Sequence, residues 1–131
     1  MPSPHDLPPD LRSRLTAARL DTLALLRALD HALVPPVDLP QAPLRQLAVL
    51  DADCAEALWA LDQPAGTLDL RTMLRDTLVS LDHLPDARAH VRARLPAAAT
   101  ARVLTLEKTL RARLDPNEAY NDVPGRDPHF R

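Results

Sequence analysis

The segment that decides the fold is residues 11–33, LRSRLTAARLDTLALLRALDHAL. Small and apolar residues recur in it at alternating intervals of four and three, the spacing of one face of an α-helix that packs along its whole length. The sequence therefore predicts a long first helix, which begins near Asp10 and ends before Val34-Pro35-Pro36, because helical geometry is disfavoured before a proline. The stripe consists of Leu11, Leu15, Ala18, Thr22, Leu25, Leu29 and Ala32.

The composition of the whole chain indicates an all-helical protein. Its 131 residues include 26 Leu and 21 Ala, but no Ile, seven Val and three aromatic residues. Leucine and alanine favour helices, whereas strands are rich in β-branched and aromatic side chains. The two glycines, Gly66 and Gly125, are too far apart to form a phosphate-binding loop, a dinucleotide-binding turn or a nucleophile elbow.

Prolines and turn residues divide the remainder of the chain. Residues 34–43 hold four prolines and are predicted to form an extended connector. Pro85 and Pro96 are predicted to separate helices, since each removes a backbone donor. The expected fold is an all-α, four- to five-helix up-down bundle at 1–114, with an extended C-terminal arm at 115–131. Its later helices are expected over 44–61, 67–84 (capped by Thr67), 86–95 and 97–114.

Features of the chain predict a cytoplasmic protein with no membrane association. The N-terminus has neither the basic region nor the apolar region of a secretory signal. The apolar runs are much shorter than the ~20 residues of a membrane-spanning helix. The single cysteine, Cys54, has no partner for an internal disulfide, which is typical of a reducing compartment.

Charge is unevenly distributed along the chain. Residues 35–66 carry five acids and one base, whereas residues 85–114 carry seven bases and two acids. One interpretation is that the acidic helix neighbours the basic ones, within one chain or across a dimer. The alternative is a nucleic-acid surface, although the basic segment has no aromatic residue on which a base would stack. Its candidate residues are Arg88, Arg92, Arg94, Arg102, Arg111 and Arg113.

No set of residues predicts an enzyme or a cofactor site. The best candidate for a metal site is Asp76, His83, Asp86 and His90, which are interrupted by a proline and flank the apolar stripe. We expect surface histidines there, and binding of a metal by His83 and His90 stays an open question. Ser80 lies three residues before His83, but no third group is placed to orient the imidazole. We therefore expect no catalytic residues, no metal and no cofactor.

Two polar residues fall near the apolar face of the second predicted helix. Cys54 shares that face with leucines, which predicts a buried and unreactive thiol. Asp51 lies where the apolar stripe continues, so its burial would require an arginine partner or a helix cap. By charge alone, the candidate partners are Arg102, Arg111 and Arg113.

The aromatic residues indicate a binding function. Tyr120 and Phe130 lie in the predicted arm, and aromatic anchors on a polar segment bury a large area at low entropic cost. Trp59 lies beside the main stripe of its helix, next to a groove of alanines that would accept the arm or a second protomer. The sequence thus predicts a non-enzymatic protein–protein interaction module, a homodimer or a small subunit of a larger assembly. The groove consists of Ala48, Ala52 and Ala55.

Overall fold

The protein is an all-α bundle, as the sequence predicts. The computed structural model describes the backbone of residues 10–32, 39, 41–63 and 70–121, with side chains from Arg75 onward in the third helix. Every regular element in these ranges is helical. The elements are α1 (Leu11–Ala32), α2 (Gln41–Leu61), α3 (Leu70–Ala93), α4 (Ala97–Arg113) and α5 (Pro116–Asn121).

Helix α1 is the centre of the bundle. All seven residues of the predicted stripe are buried, and the main core on this side includes residues of α2, α3 and α4. A second buried cluster, with Leu20, Leu23 and Ala24, contacts Leu114 and Ala119. The sequence stripe predicted one packed side of α1, whereas the structure buries two sides because α4 and α5 also pack on this helix.

The helices alternate in direction. Arg19 of α1 binds Asp51 of α2 while Arg12 binds Asp62, so these two helices run antiparallel. Helix α3 runs parallel to α1, since Asp82 pairs with Arg14 and Arg88 with Asp21. Helix α4 runs antiparallel to both, since its Glu107 binds Arg92 of α3 while Arg111, further along α4, binds Asp21. The up-down arrangement therefore holds for the part of the chain that the structure describes.

Helix α2 begins earlier than the sequence predicts. Residues 41–43 were expected in the extended connector, but α2 starts at Gln41 and includes Pro43 in its first turn. A proline is compatible with this position, because the first N–H groups of a helix have no intrahelical acceptor. The connector residues 34–38 and Pro40 lie outside the described ranges.

The predicted break at Pro85 is wrong. Helix α3 runs without interruption from Leu70 to Ala93, so the separate helix over 86–95 does not form. Proline inside a helix costs about 3 kcal/mol. Leu84 and Ala87, on either side of it, are buried in the core, and their burial favours the continuous helix. Pro96, in contrast, does end the α3 region and precedes α4.

The first part of the C-terminal arm is helical and not extended. Asp115 Oδ1 accepts the N–H of Asn117 at 2.9 Å, and Pro116 is the first residue of α5. An aspartate cap followed by proline is a favourable start for a helix. Helix α5 contacts both α1 and α2. Residues 122–131, the remainder of the predicted arm, lie outside the described ranges, as does the Thr67 cap.

Among the helices that the structure describes, none has the length and hydropathy needed to cross a membrane.

Candidate functional site

Two of the three predicted binding residues, Trp59 and Tyr120, lie at the C-terminal end of α2. The Tyr120 hydroxyl on α5 donates a hydrogen bond to Asp62 Oδ2. Asp62 follows α2 directly, and its N–H bonds the carbonyl of Trp59 at 3.2 Å. Asp62 also accepts a hydrogen bond from Arg12 Nη2 at 2.7 Å. Tyr120 therefore reaches α2 within one helical turn of Trp59, and we call these four residues the aromatic end of the bundle.

Helix α5 is held in this position by apolar and ionic contacts. Ala119 is fully buried against Leu20 and Leu23 of α1. Glu118, on the exposed side of α5, pairs with Arg27 of α1. The Tyr120 ring also packs on the main core. These contacts hold the phenol at the end of α2, and Phe130 lies outside the described part of the chain.

The outer side of α2 is graded in exposure. Ala48 is exposed, Ala52 is half-buried and Ala55 is completely buried. Trp59 is half-buried at the same end as Ala55. The predicted alanine groove is thus open at its N-terminal end and closed near Trp59.

Asp51 is buried and has an arginine partner, as its position in the sequence requires. The partner is Arg19 of α1, which donates from Nε at 3.0 Å and from Nη2 at 2.9 Å. The predicted partners Arg102, Arg111 and Arg113 are therefore wrong. The sequence signal that points to Arg19 is its place beside Ala18 in the α1 stripe, where a long charged side chain needs a buried acceptor.

Three of the six arginines predicted for a nucleic-acid surface make contacts inside the bundle. Arg88 is buried between α3 and α1, where it donates to Thr22 Oγ1 at 3.3 Å. Its pKa is lowered, chiefly because burial disfavours the charged form. Arg111 Nε lies 2.6 Å from Asp21 Oδ1 of α1.

Arg92 is the third arginine with a partner. It donates to Glu107 of α4, with an Nε–Oε2 distance of 3.0 Å, and this hydrogen bond raises the pKa of Arg92. Arg94, Arg102 and Arg113 are exposed. The ion-pair partners of Arg88, Arg92 and Arg111 thus lie on α1 and α4. Acidic α2 packs against α3, which carries the first part of the basic segment, whereas α4 packs mainly on α1.

The remaining candidates for chemistry are dispersed or buried. Cys54 is completely buried, and burial together with nearby Asp51 and Asp53 raises the pKa of its thiol to about 12. Ser80 Oγ donates to Asp53 Oδ2 at 2.8 Å, so its described hydrogen bond is to this carboxylate and not to His83. A cavity of about 300 Å³ lies between the start of α2 and the end of α3, lined by Ala42, Pro43, Gln46, His90 and Arg94.

The acidic and histidine candidates for a metal site are all exposed. In the described ranges, no group of three or more His, Cys, Asp or Glu side chains is close enough to hold an ion. His90 instead lies 3.3 Å from Arg94 Nη2. The other three candidates are Asp76, His83 and Asp86.

The chain matches no family model, no curated protein and no solved structure. The candidate site therefore depends on the geometry described above.

Proposed function

We propose that this chain is a cytoplasmic, non-enzymatic protein–protein interaction module, working as a homodimer or as a small subunit of a larger assembly. In this proposal the partner binds at the aromatic end of α2. The supporting observation is that α5 carries Tyr120 to Asp62, one turn from Trp59. Phe130 lies ten residues after Tyr120 in the chain and is proposed as a further anchor.

The chemistry of this end is suited to binding a protein. Tryptophan and tyrosine bury much apolar area with few rotatable bonds, and each retains one polar group for a hydrogen bond. Arg12 and Asp62 place charges beside the rings, in the manner of a polar rim around an apolar centre.

Light scattering coupled to size exclusion provides the first test of this proposal. We would compare the full chain, a chain ending at Asn121, and the double variant Trp59→Ala/Tyr120→Ala, with His83→Ala as an exposed control. If the partner at the aromatic end is a second copy, the double variant associates less than the full chain and the control do. The chain that ends at Asn121 tests the contribution of residues 122–131, which include Phe130.

A different subunit as partner calls for a second measurement. The full chain and the double variant would be used as baits in an extract of the source cells, and a protein retained only by the full chain would be purified and titrated against both. Because Trp59 is the single tryptophan, a blue shift of its fluorescence on binding reports burial of this residue. The proposal would be refuted if the chain is monomeric and no captured protein changes the fluorescence of Trp59.

The alternative function is a nucleic-acid-associated accessory or regulatory protein. Of its six candidate arginines, Arg94, Arg102 and Arg113 are exposed, and the other three have partners within the bundle. Phosphate contacts make such binding strongly dependent on salt. This alternative predicts a gel shift of duplex DNA or RNA at low salt that the triple variant R94Q/R102Q/R113Q loses.

A further inference from the structure

One exposed surface combines α2 and α3, which lie side by side and are joined by the hydrogen bond from Ser80 to Asp53. Carboxylates on the exposed sides of 45–56 and 75–86 outnumber arginines by five to two. We call this surface the hairpin face. Its acids are Asp53, Glu56, Asp76, Asp82 and Asp86, and its bases are Arg45 and Arg75.

Exposed apolar side chains also lie on the hairpin face. Val49 is 55% exposed and Val79 is 53% exposed. Val49 is seven residues before Glu56, and Val79 is three residues after Asp76 and seven before Asp86, so each valine shares a helix side with acids. The three acids Glu56, Asp76 and Asp86 make no ion pair within the described part of the chain.

The outward half of α4 has the opposite charge. We call it the α4 face, and its cations are Arg102, Lys108 and Arg113, all exposed and without an ion pair among the described residues. The one acid of α4, Glu107, is already bound by Arg92. Leu104 adds an apolar side chain that is 41% exposed.

The two faces belong to different helices of the bundle. Helix α4 packs mainly on α1 and buries Ala99 and Val103, while α2 and α3 pack against each other and also contact α1. Among the described residues, the cations of the α4 face make no ion pair with the acids of the hairpin face. A second copy would bring these complementary charges and the exposed apolar residues into contact.

From this complementarity we infer that the α4 face of one copy packs on the hairpin face of a second copy. Helix α4 is about 25 Å long at 1.5 Å per residue, and its exposed Ala101, Thr105 and Ala112 allow a close approach to the groove between two helices. Leu104 then meets the region of Val49 and Val79. Acidic and basic side chains around these apolar residues select the partner and its orientation.

A contact between two different faces is heterologous. Each copy therefore retains one unused face, and the assembly either closes into a ring or extends as a chain. The inference rests on the proposed role as an assembly module, but it uses a surface other than the aromatic end. The aromatic end then remains open for a different subunit.

Charge reversal with a rescue tests this inference. The acidic-α4 variant is R102E/K108E/R113E, and the basic-hairpin variant is E56K/D76K/D86K. The exposed Asp30→Lys substitution is a control outside both faces. Sedimentation velocity at 50 mM and 500 mM NaCl measures association of the full-length proteins, and circular dichroism shows whether each variant retains its helices.

The expected result is association of the wild-type chain and of the control, weaker at high salt because ions screen exposed charges. Each variant alone should associate at least about tenfold more weakly than the wild-type chain, since its two faces now carry like charges. An equimolar mixture of the two variants should associate again, because every contact between unlike copies pairs opposite charges. If a triple variant loses its helices, Leu104→Ser and Val79→Ser replace it in the same assay.

Several results would overturn the inference. A wild-type chain that is monomeric at 100 µM in 50 mM NaCl has no such contact. If both charge reversals leave association unchanged, the contact lies on another surface and this inference is rejected. If Trp59→Ala/Tyr120→Ala then abolishes the association, the proposed function is retained. A monomeric chain that binds duplex DNA, and loses that binding in R102E/K108E/R113E, would assign the α4 face to nucleic acid.

Discussion

Removing one partner of the buried ion pair between Arg19 and Asp51 is expected to destabilise the bundle strongly. The Arg19 side chain is 1% exposed, and it directs two hydrogen bonds to the two carboxylate oxygens of Asp51. Asp51→Asn preserves the volume but removes the negative charge and turns one acceptor into a donor. Breaking a buried pair by removing one partner costs about 3–5 kcal/mol, because the remaining charge stays desolvated.

Urea unfolding followed by circular dichroism measures this cost. Chains of this size unfold with a slope of about 2 kcal/mol per molar urea, so a loss of 3–5 kcal/mol moves the midpoint by about 2 M. The matched control is Asp82→Asn, because Asp82 is also paired with an arginine of α1 (Arg14, at 3.7 Å) but is 74% exposed. An exposed pair contributes about 0–1 kcal/mol, so this control should hardly move the midpoint.

The double variant Arg19→Met/Asp51→Leu separates charge from packing. Replacing both partners with apolar residues of similar volume removes the desolvation cost, so it should recover most of the stability lost in Asp51→Asn. Equal midpoints for Asp51→Asn and Asp82→Asn would refute the reasoning. A double variant even less stable than Asp51→Asn would contradict the expectation that two apolar residues recover the lost stability.

Three further predictions concern the packing of the bundle. Leu84→Ala, which truncates a completely buried side chain of α3, should lower the free energy of unfolding by about 2–5 kcal/mol in urea titrations. Pro85→Ala should raise the melting temperature, because alanine restores a helix donor worth up to about 3 kcal/mol. The control Pro96→Ala, at the start of α4, should leave the melting temperature unchanged or lower it. Equal effects of the two substitutions on the melting temperature would contradict this reasoning. Because the pKa of Cys54 is raised from 9.0 to about 12, the unfolded chain loses the thiol proton first, so stability should fall between pH 9 and pH 12 more steeply in the wild type than in Cys54→Ala. Parallel pH profiles for these two proteins would contradict the assigned burial of the thiol.

Part of the candidate site follows from the sequence alone. The aromatic residues were identifiable because only three exist in a chain of leucine and alanine. That a buried Asp51 needs an arginine partner or a helix cap also follows, since its position continues the apolar stripe. The identity of that arginine does not follow, because charge complementarity does not specify which helices are neighbours. Arg19 is 32 residues away from Asp51 along the chain, and only the packing of α1 against α2 brings them together.

Asp62 and Arg12 illustrate the same limit at the aromatic end. Neither residue has a distinctive local pattern, and they become part of the site only where α1, α2 and α5 meet. The same holds for Asp21, which binds Arg111 of α4 and lies 3.8 Å from Arg88 of α3. Sites built from the ends of several helices depend on tertiary contacts that periodicity does not contain.

The sequence by itself determined the helical class, the length of α1 and the side of α1 that packs on α2 and α3, because helix propensity and the period of apolar residues are local properties. Tertiary structure decided where proline is tolerated, since α3 continues through Pro85, where Leu84 and Ala87 are buried, whereas Pro96 lies between the end of α3 and the start of α4. It also decided that α1 is buried on two sides and that residues 116–121 are a docked helix. The physical reason is that burial energy arises between elements distant in the chain, and there it exceeds the local preferences that a sequence displays.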